Sequence, residues 1–110
     1  MKQNITFIYP LSDDLVNRLR VRAVKERGSI TNFVVQYEAL IDGKWCEIVR
    51  YDTSHGFAHK DIIHPNGRQD KQALYLPSFN LAFTFAINDL KASWQWYRLG
   101  YEMEMKNEKG

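Results

Sequence analysis

The sequence predicts an α+β fold: an antiparallel meander of four to five strands packed by one long C-terminal helix. Three observations carry that prediction. Residues 18–23 alternate between Arg18, Arg20, Arg22 and Leu19, Val21, Ala23, the period of two that marks a strand with one packed and one basic face. Asp42-Gly43 separates two apolar-rich runs, and both residues tolerate the positive φ of a tight hairpin turn. From Phe79 to about Met105, Phe83, Ala86, Ile87, Leu90, Trp94, Tyr97 and Tyr101 recur every three or four residues, the spacing of an amphipathic helix.

Taken in order, residues 5–9 are a short β-prone run closed by Pro10. Ser12 followed by Asp13 and Asp14 predicts a brief helix that ends before Leu19, with a hydroxyl cap and acids in its first turn. Residues 30–41 form the next strand, with Phe33, Val35, Tyr37 and Ala39 on one face and Val34, Gln36, Glu38 and Leu40 on the other. Residues 45–51 return antiparallel to it. Residues 57–63 are the fourth strand, Pro65-Asn66-Gly67 is a turn, and residues 68–75 can hold a short fifth strand. Ser78 caps the helix, and the polar tail, residues 105–110, is expected to fray.

A chain of 110 residues fits one domain, 1–110, with one core. Hydrophobic content of 45% and charge content of 25% argue against disorder. Aromatics at 14% are more than a core this small readily hides, so a homodimer that covers part of them is expected. A formal net charge of +2 is compatible with nucleic acid but does not by itself indicate it. The single Cys46 permits no internal disulfide or thiolate metal cage and is read as a core residue. No signal pattern or membrane-length apolar run occurs, so no membrane partner and a reducing, cytoplasmic setting are expected.

All three histidines lie in residues 51–64, Tyr-Asp-Thr-Ser-His-Gly-Phe-Ala-His-Lys-Asp-Ile-Ile-His. Imidazole titrates near neutrality, so such a segment can carry acid–base work. Alternation along residues 57–63 places His59 and Asp61 on one face and sends Lys60 and His64 to the other. His55 sits in the preceding turn beside Gly56, and Asp52 with Thr53 and Ser54 is good Asx-turn chemistry in its own right. The candidate catalytic residues are therefore His55, His59 and Asp61. Arg50, Lys60, Arg20 and Arg22 are the candidate substrate-binding residues. The His55–His59 spacing suits a metal only on a helix, which Gly56 argues against, so no metal and no cofactor are assigned, and a metal-dependent hydrolase built on His55, His59 and one of the Asp residues stays as a third alternative.

Arg50-Tyr51-Asp52, His55-Gly56, His59, Asp61 and then His64-Pro65-Asn66-Gly67 spell RYD-x-x-HG-x-x-H-x-D followed by HP-x-G. In this the chain resembles a family of short uncharacterised bacterial and archaeal proteins over about residues 33–67 and the helical tail. More loosely, Arg50, Tyr51 and Asp52 ahead of a histidine-containing segment resemble TumE-type toxins of toxin–antitoxin systems. That resemblance implies a toxin-like ribonuclease or other RNA-acting protein with a cognate small protein partner. Small size, abundant aromatics and the lack of a strong catalytic signature support a different expectation: a non-catalytic interaction module, antitoxin-like or phage-encoded.

Overall fold

The computed structural model describes residues 1–109; Gly110, the end of the expected tail, lies outside them. Six strands follow one another as β1 (Lys2–Pro10), β2 (Asn17–Glu26), β3 (Ser29–Ile41), β4 (Lys44–Asp52), β5 (His59–Ile63) and β6 (Gln69–Ala73). One helix, α1 (Phe79–Lys109), ends the chain. The sheet order is β1-β2-β3-β4-β5-β6, and every neighbouring pair is antiparallel. The α+β meander with one C-terminal helix is as expected, but it has six strands rather than four or five. The strand beyond the expected five is β1, read from sequence only as a β-prone run; β6 is the short fifth strand that residues 68–75 allowed, and the residues of both edges are nearly all exposed. Burial did not write a clear pattern there, and β6 is polar at four of its five positions (Gln69, Asp70, Lys71, Gln72), as suits an edge kept from pairing with other chains.

The short helix expected after Ser12 is a turn instead. Leu15 adopts φ 62°, its N–H donates to the Ser12 carbonyl at 3.1 Å, and the Asp14 carboxylate accepts from Ser12 Oγ at 2.6 Å and Val16 N–H at 3.3 Å. Ser and Asp side chains satisfy the backbone locally in this way, so they close a hairpin as readily as they cap a helix. The continuous β1–β2 pairing, ending at Pro10 opposite Arg18, leaves room only for the hairpin. β5 begins at His59, two residues later than expected. At the other end α1 continues through Lys109, past the expected fraying point near Met105, which itself packs against the core.

The helix covers one face of the sheet. Leu19, Val21, Val35, Tyr37, Val49 and Tyr51 are fully buried beneath it. Ala82, Ala86 and Leu90 supply the middle of the helix stripe; the two alanines let backbone approach sheet. Phe33 is met edge-on by Phe79 and Phe83, with ring centres 6.5 and 5.5 Å away, and Tyr37 by Trp94 at 6.2 Å. Cys46 is half-buried at the margin of this core. Asp42 and Gly43, at φ 52° and 75°, turn β3 into β4 as the sequence predicts.

Polar ties hold α1 at three levels. Arg98 donates to Asn17 Oδ1 at 2.9 Å, and the Tyr37 hydroxyl donates to the same atom at 2.6 Å. The Tyr51 and Tyr97 hydroxyls both donate to Asp89 Oδ2, at 2.7 and 2.6 Å. His64 lies between Glu104 at 2.8 Å on Nδ1 and Asp70 at 2.7 Å on Nε2, so it joins α1, β5 and β6. Among the described residues no helix is long and apolar enough to cross a membrane.

Two outcomes test this packing. Ala86→Leu is expected to overfill the helix–sheet seam and lower unfolding free energy by about 1–3 kcal/mol in urea titration. Hydrogen bonds to Glu104 and then Asp70 raise the His64 pKa above its ordinary 6.5. A raised pKa stabilises fully below the unfolded value and is lost as pH rises through the folded value. The melting-temperature gap between the parent and His64→Gln should therefore be widest just below pH 6.5 and close as the pH climbs, while the carboxylates stay ionised.

Candidate functional site

The face of the sheet away from α1 carries Arg18, Arg20, Arg22, Glu38, Arg50, Asp52, Asp61 and Lys71. The register sets them in rows that cross the strands. One row runs Thr6, Arg22, Val34, Asp52, His59 and Ala73. The next runs Ile8, Arg20, Gln36, Arg50, Asp61 and Lys71. Each row draws one residue from every strand, so neighbours within it are far apart in sequence but side by side in space.

His59 is the centre of this arrangement and is 1% exposed. Its Nε2 lies 2.7 Å from Asp52 Oδ1 and 3.7 Å from Asp61 Oδ2. Its Nδ1 faces the Phe57 carbonyl at 3.4 Å. Lys71 approaches from β6, with Nζ 3.4 Å from His59 Nε2 and 3.9 Å from Asp61 Oδ1. Asp52 and Asp61 are both buried, and Asp61 Oδ1 has no hydrogen-bond partner among the described residues. His55 stacks over His59 with ring centres 5.8 Å apart and planes tilted by 30°, and Phe57 lies 5.5 Å from the same ring. The segment that carries these covers is a tight one. Asp52 Oδ1 accepts from Ser54 N–H at 3.1 Å, and Gly56 takes φ 82°. Asp52 therefore shapes the turn and contacts His59 with one oxygen.

Beside this group lies a groove of about 470 Å³, lined by Thr6, Arg20, Arg22, Val34, Gln36, Arg50 and Asp52. Asp52 thus belongs both to the groove wall and to the histidine cluster. The arginines are not equivalent. Arg18 and Arg20 bind the two oxygens of Glu38 at 2.8 and 3.2 Å. Arg50 binds Glu47 at 2.6 Å and donates to Gln36 at 3.0 Å. Burial alone would raise the Glu38 pKa, but hydrogen bonds from Arg18 and Gln36 and the Arg20 charge outweigh it and hold the carboxyl below its usual range. Arg22 has no ion-pair partner among the described residues and borders the groove.

The structure therefore brings His59 and Asp61 together, lays His55 over them, and places Arg20, Arg22 and Arg50 on the same side of the sheet. Lys60 is elsewhere. It lies on the helix face, hydrogen-bonded to the Tyr97 hydroxyl and 3.8 Å from Asp89, with its ammonium over the Tyr97 ring at 4.7 Å. His64 is also on the helix side, as alternation predicts. Two members of the cluster, Asp52 and Lys71, are absent from the candidate residues drawn from the sequence. A signal for Asp52 existed: closing residues 53–58 as a hairpin connection sets Asp52 opposite His59. Lys71 had none, because a polar stretch such as residues 69–73 shows no burial pattern.

Residues 1–107 match a family described as a domain of unknown function, DUF7718. The chain belongs to this family. The match spans the whole sheet and nearly all of α1, so the fold and the cluster lie together within the family's extent. No curated protein matches the chain. No solved structure matches it either.

His59 separates two buried carboxylates. Replacing it with alanine leaves Asp52 and Asp61 facing one another across a void, and His59→Ala is expected to lose roughly 3–5 kcal/mol of stability in urea titration. The variant is thus a probe of folding before it is a probe of activity.

Proposed function

We propose that this protein acts on RNA, as a small toxin-like ribonuclease that works in the cytoplasm and is held in check by a cognate small protein. The observation that supports this most is the arginine-bordered groove that ends at Asp52, itself 2.7 Å from His59. Cleavage of a phosphodiester by an adjacent hydroxyl needs cations on the phosphate, a base for the hydroxyl and an acid for the leaving oxygen. Arg22 takes the phosphate most directly, since its charge is not committed to another residue, and Arg20 and Arg50 flank it. The proton transfers fall to His55, which is exposed, and to His59 beneath it, oriented by Asp52 and Asp61.

One feature supports a second reading. Both ring nitrogens of His59 already face protein oxygens, and the ring is buried. A role in proton transfer requires the 53–58 segment to move and free one nitrogen. Without that motion the same face is a non-catalytic binding surface, for RNA or for a protein partner.

Fluorescence anisotropy and cleavage of a labelled single-stranded RNA separate these readings. Arg22→Ala should weaken binding at every RNA sequence tried and lower the slope of log affinity against log salt by about 1. His55→Ala should keep binding and abolish cleavage. Salt-sensitive binding with no cleavage by the parent would leave the interaction module standing. Absence of binding even at low salt would end the RNA proposal.

A further inference from the structure

We infer that Asp52, His59 and Asp61 form a binding site for one divalent transition-metal ion of the Mn²⁺ or Zn²⁺ kind, and that the Lys71 ammonium takes the place of that charge when the ion is absent. The inference does not depend on the RNA proposal: with an ion on Nε2, His59 is a ligand, and the proton transfers of that proposal fall to His55 alone.

The donor set is two carboxylates and one imidazole, all buried, with ligand atoms within 4.8 Å of one another. Carboxylates suit Mn²⁺, and imidazole suits Zn²⁺ and its neighbours, so a mixed set of this kind selects borderline divalent ions over Ca²⁺ or Mg²⁺. Ligands bound at about 2.1 Å to one ion lie roughly 3.0–3.4 Å apart. The observed separations of His59 Nε2, 2.7 Å from Asp52 Oδ1 and 3.7 Å from Asp61 Oδ2, bracket that distance.

Two further observations point to the ion. Asp61 is 2% exposed, yet its Oδ1 has no hydrogen-bond partner among the described residues, although a buried acceptor of this kind is normally satisfied. Lys71 stands 3.9 Å from it, too far for a hydrogen bond. The second observation is the orientation of His59. Its Nδ1 faces the Phe57 carbonyl at 3.4 Å, the outer contact that fixes the tautomer of a metal-binding histidine and leaves Nε2 for the ion. At 2.7 Å from Asp52, Nε2 lies close enough to the carboxylate for one ion to bind both.

Lys71 explains how one site accommodates both states. Its ammonium lies 3.4 Å from His59 Nε2, next to the negative charge of two carboxylates. It projects from an edge strand with 43% of its side chain exposed, so it can swing into solvent as an ion enters. The ion and the lysine compete, and removing the lysine must tighten metal binding.

Isothermal titration of chelator-treated, untagged protein with Mn²⁺ and with Zn²⁺ tests this, alongside the ¹⁵N spectrum of the histidine rings. One ion per chain is expected, with the His59 ring resonances moved by Zn²⁺ and those of His64 unmoved. Asp61→Asn should weaken binding more than about tenfold, at least the loss that an outer contact alone commands. Lys71→Met should strengthen it several-fold. Lack of binding by both the parent and Lys71→Met at millimolar ion would overturn the inference. So would binding that leaves the His59 ring unmoved or that Asp61→Asn, shown folded by circular dichroism, does not weaken. If Asp61→Asn fails to fold, the Lys71→Met affinity and the His59 resonances decide the matter. Metal binding by a protein that does not touch RNA would uphold this site and sink only the ribonuclease reading.

Discussion

Side chains alternate across a strand, so an antiparallel register, once set, assigns every residue to a face and to a neighbour. In this chain that register runs unbroken in direction across six strands, with irregularities only at Val24/Lys25 and Tyr37/Glu38. Leu19, Val21 and Ala23 of β2 and Phe33, Val35, Tyr37 and Ala39 of β3 go under α1. Their even-numbered neighbours go to the other side, where Arg20, Arg22, Gln36 and Glu38 meet. A slip of one residue would bury the arginines and expose the core. The helix enforces the register, because Ala82, Ala86 and Leu90 fit only one of the two faces.

The same rule that builds the core therefore builds the charged face. Asp52 and His59 meet because they are paired positions on β4 and β5, and Asp61 joins them because it is two residues further along β5. The result is a group that is polar, charged and yet dry, covered by His55 and Phe57 from the 53–58 segment. Dry carboxylates strengthen every electrostatic contact around them, and they also demand compensation. His59 supplies part of it, Lys71 supplies part, and one oxygen of Asp61 is left over.

The three histidines, adjacent in sequence, have separate physical roles. His64 is a structural clasp between sheet and helix, with both nitrogens on carboxylates. His59 is the buried hub of the opposite face. His55 is the exposed cover over it. Alternation alone divides His59 from His64, and this is why a three-histidine site does not form. Lys60 follows His64 to the helix side, where Asp89 and two tyrosine rings hold it.

Sequence by itself determined the elements whose residues make local or periodic contacts. The faces of β2 and β3, the Asp42-Gly43 turn, the Asx turn at Asp52, the Ser78 cap and the amphipathic stripe of α1 depend on neighbours within a few positions or on burial of one face. It also placed His59 and Asp61 together, since they are two residues apart on one strand. Tertiary structure decided what depends on pairing between strands. The edge strands β1 and β6 form because a partner lies beside them, although burial leaves almost no mark on their residues. Residues 11–16 become a hairpin turn because β1 and β2 must pair, which a sequence with equally good helix-cap chemistry does not reveal. Asp52 joins His59 across the β4–β5 hairpin, and Lys71 joins it only through the β5–β6 register, which no pattern in the polar residues 69–73 encodes.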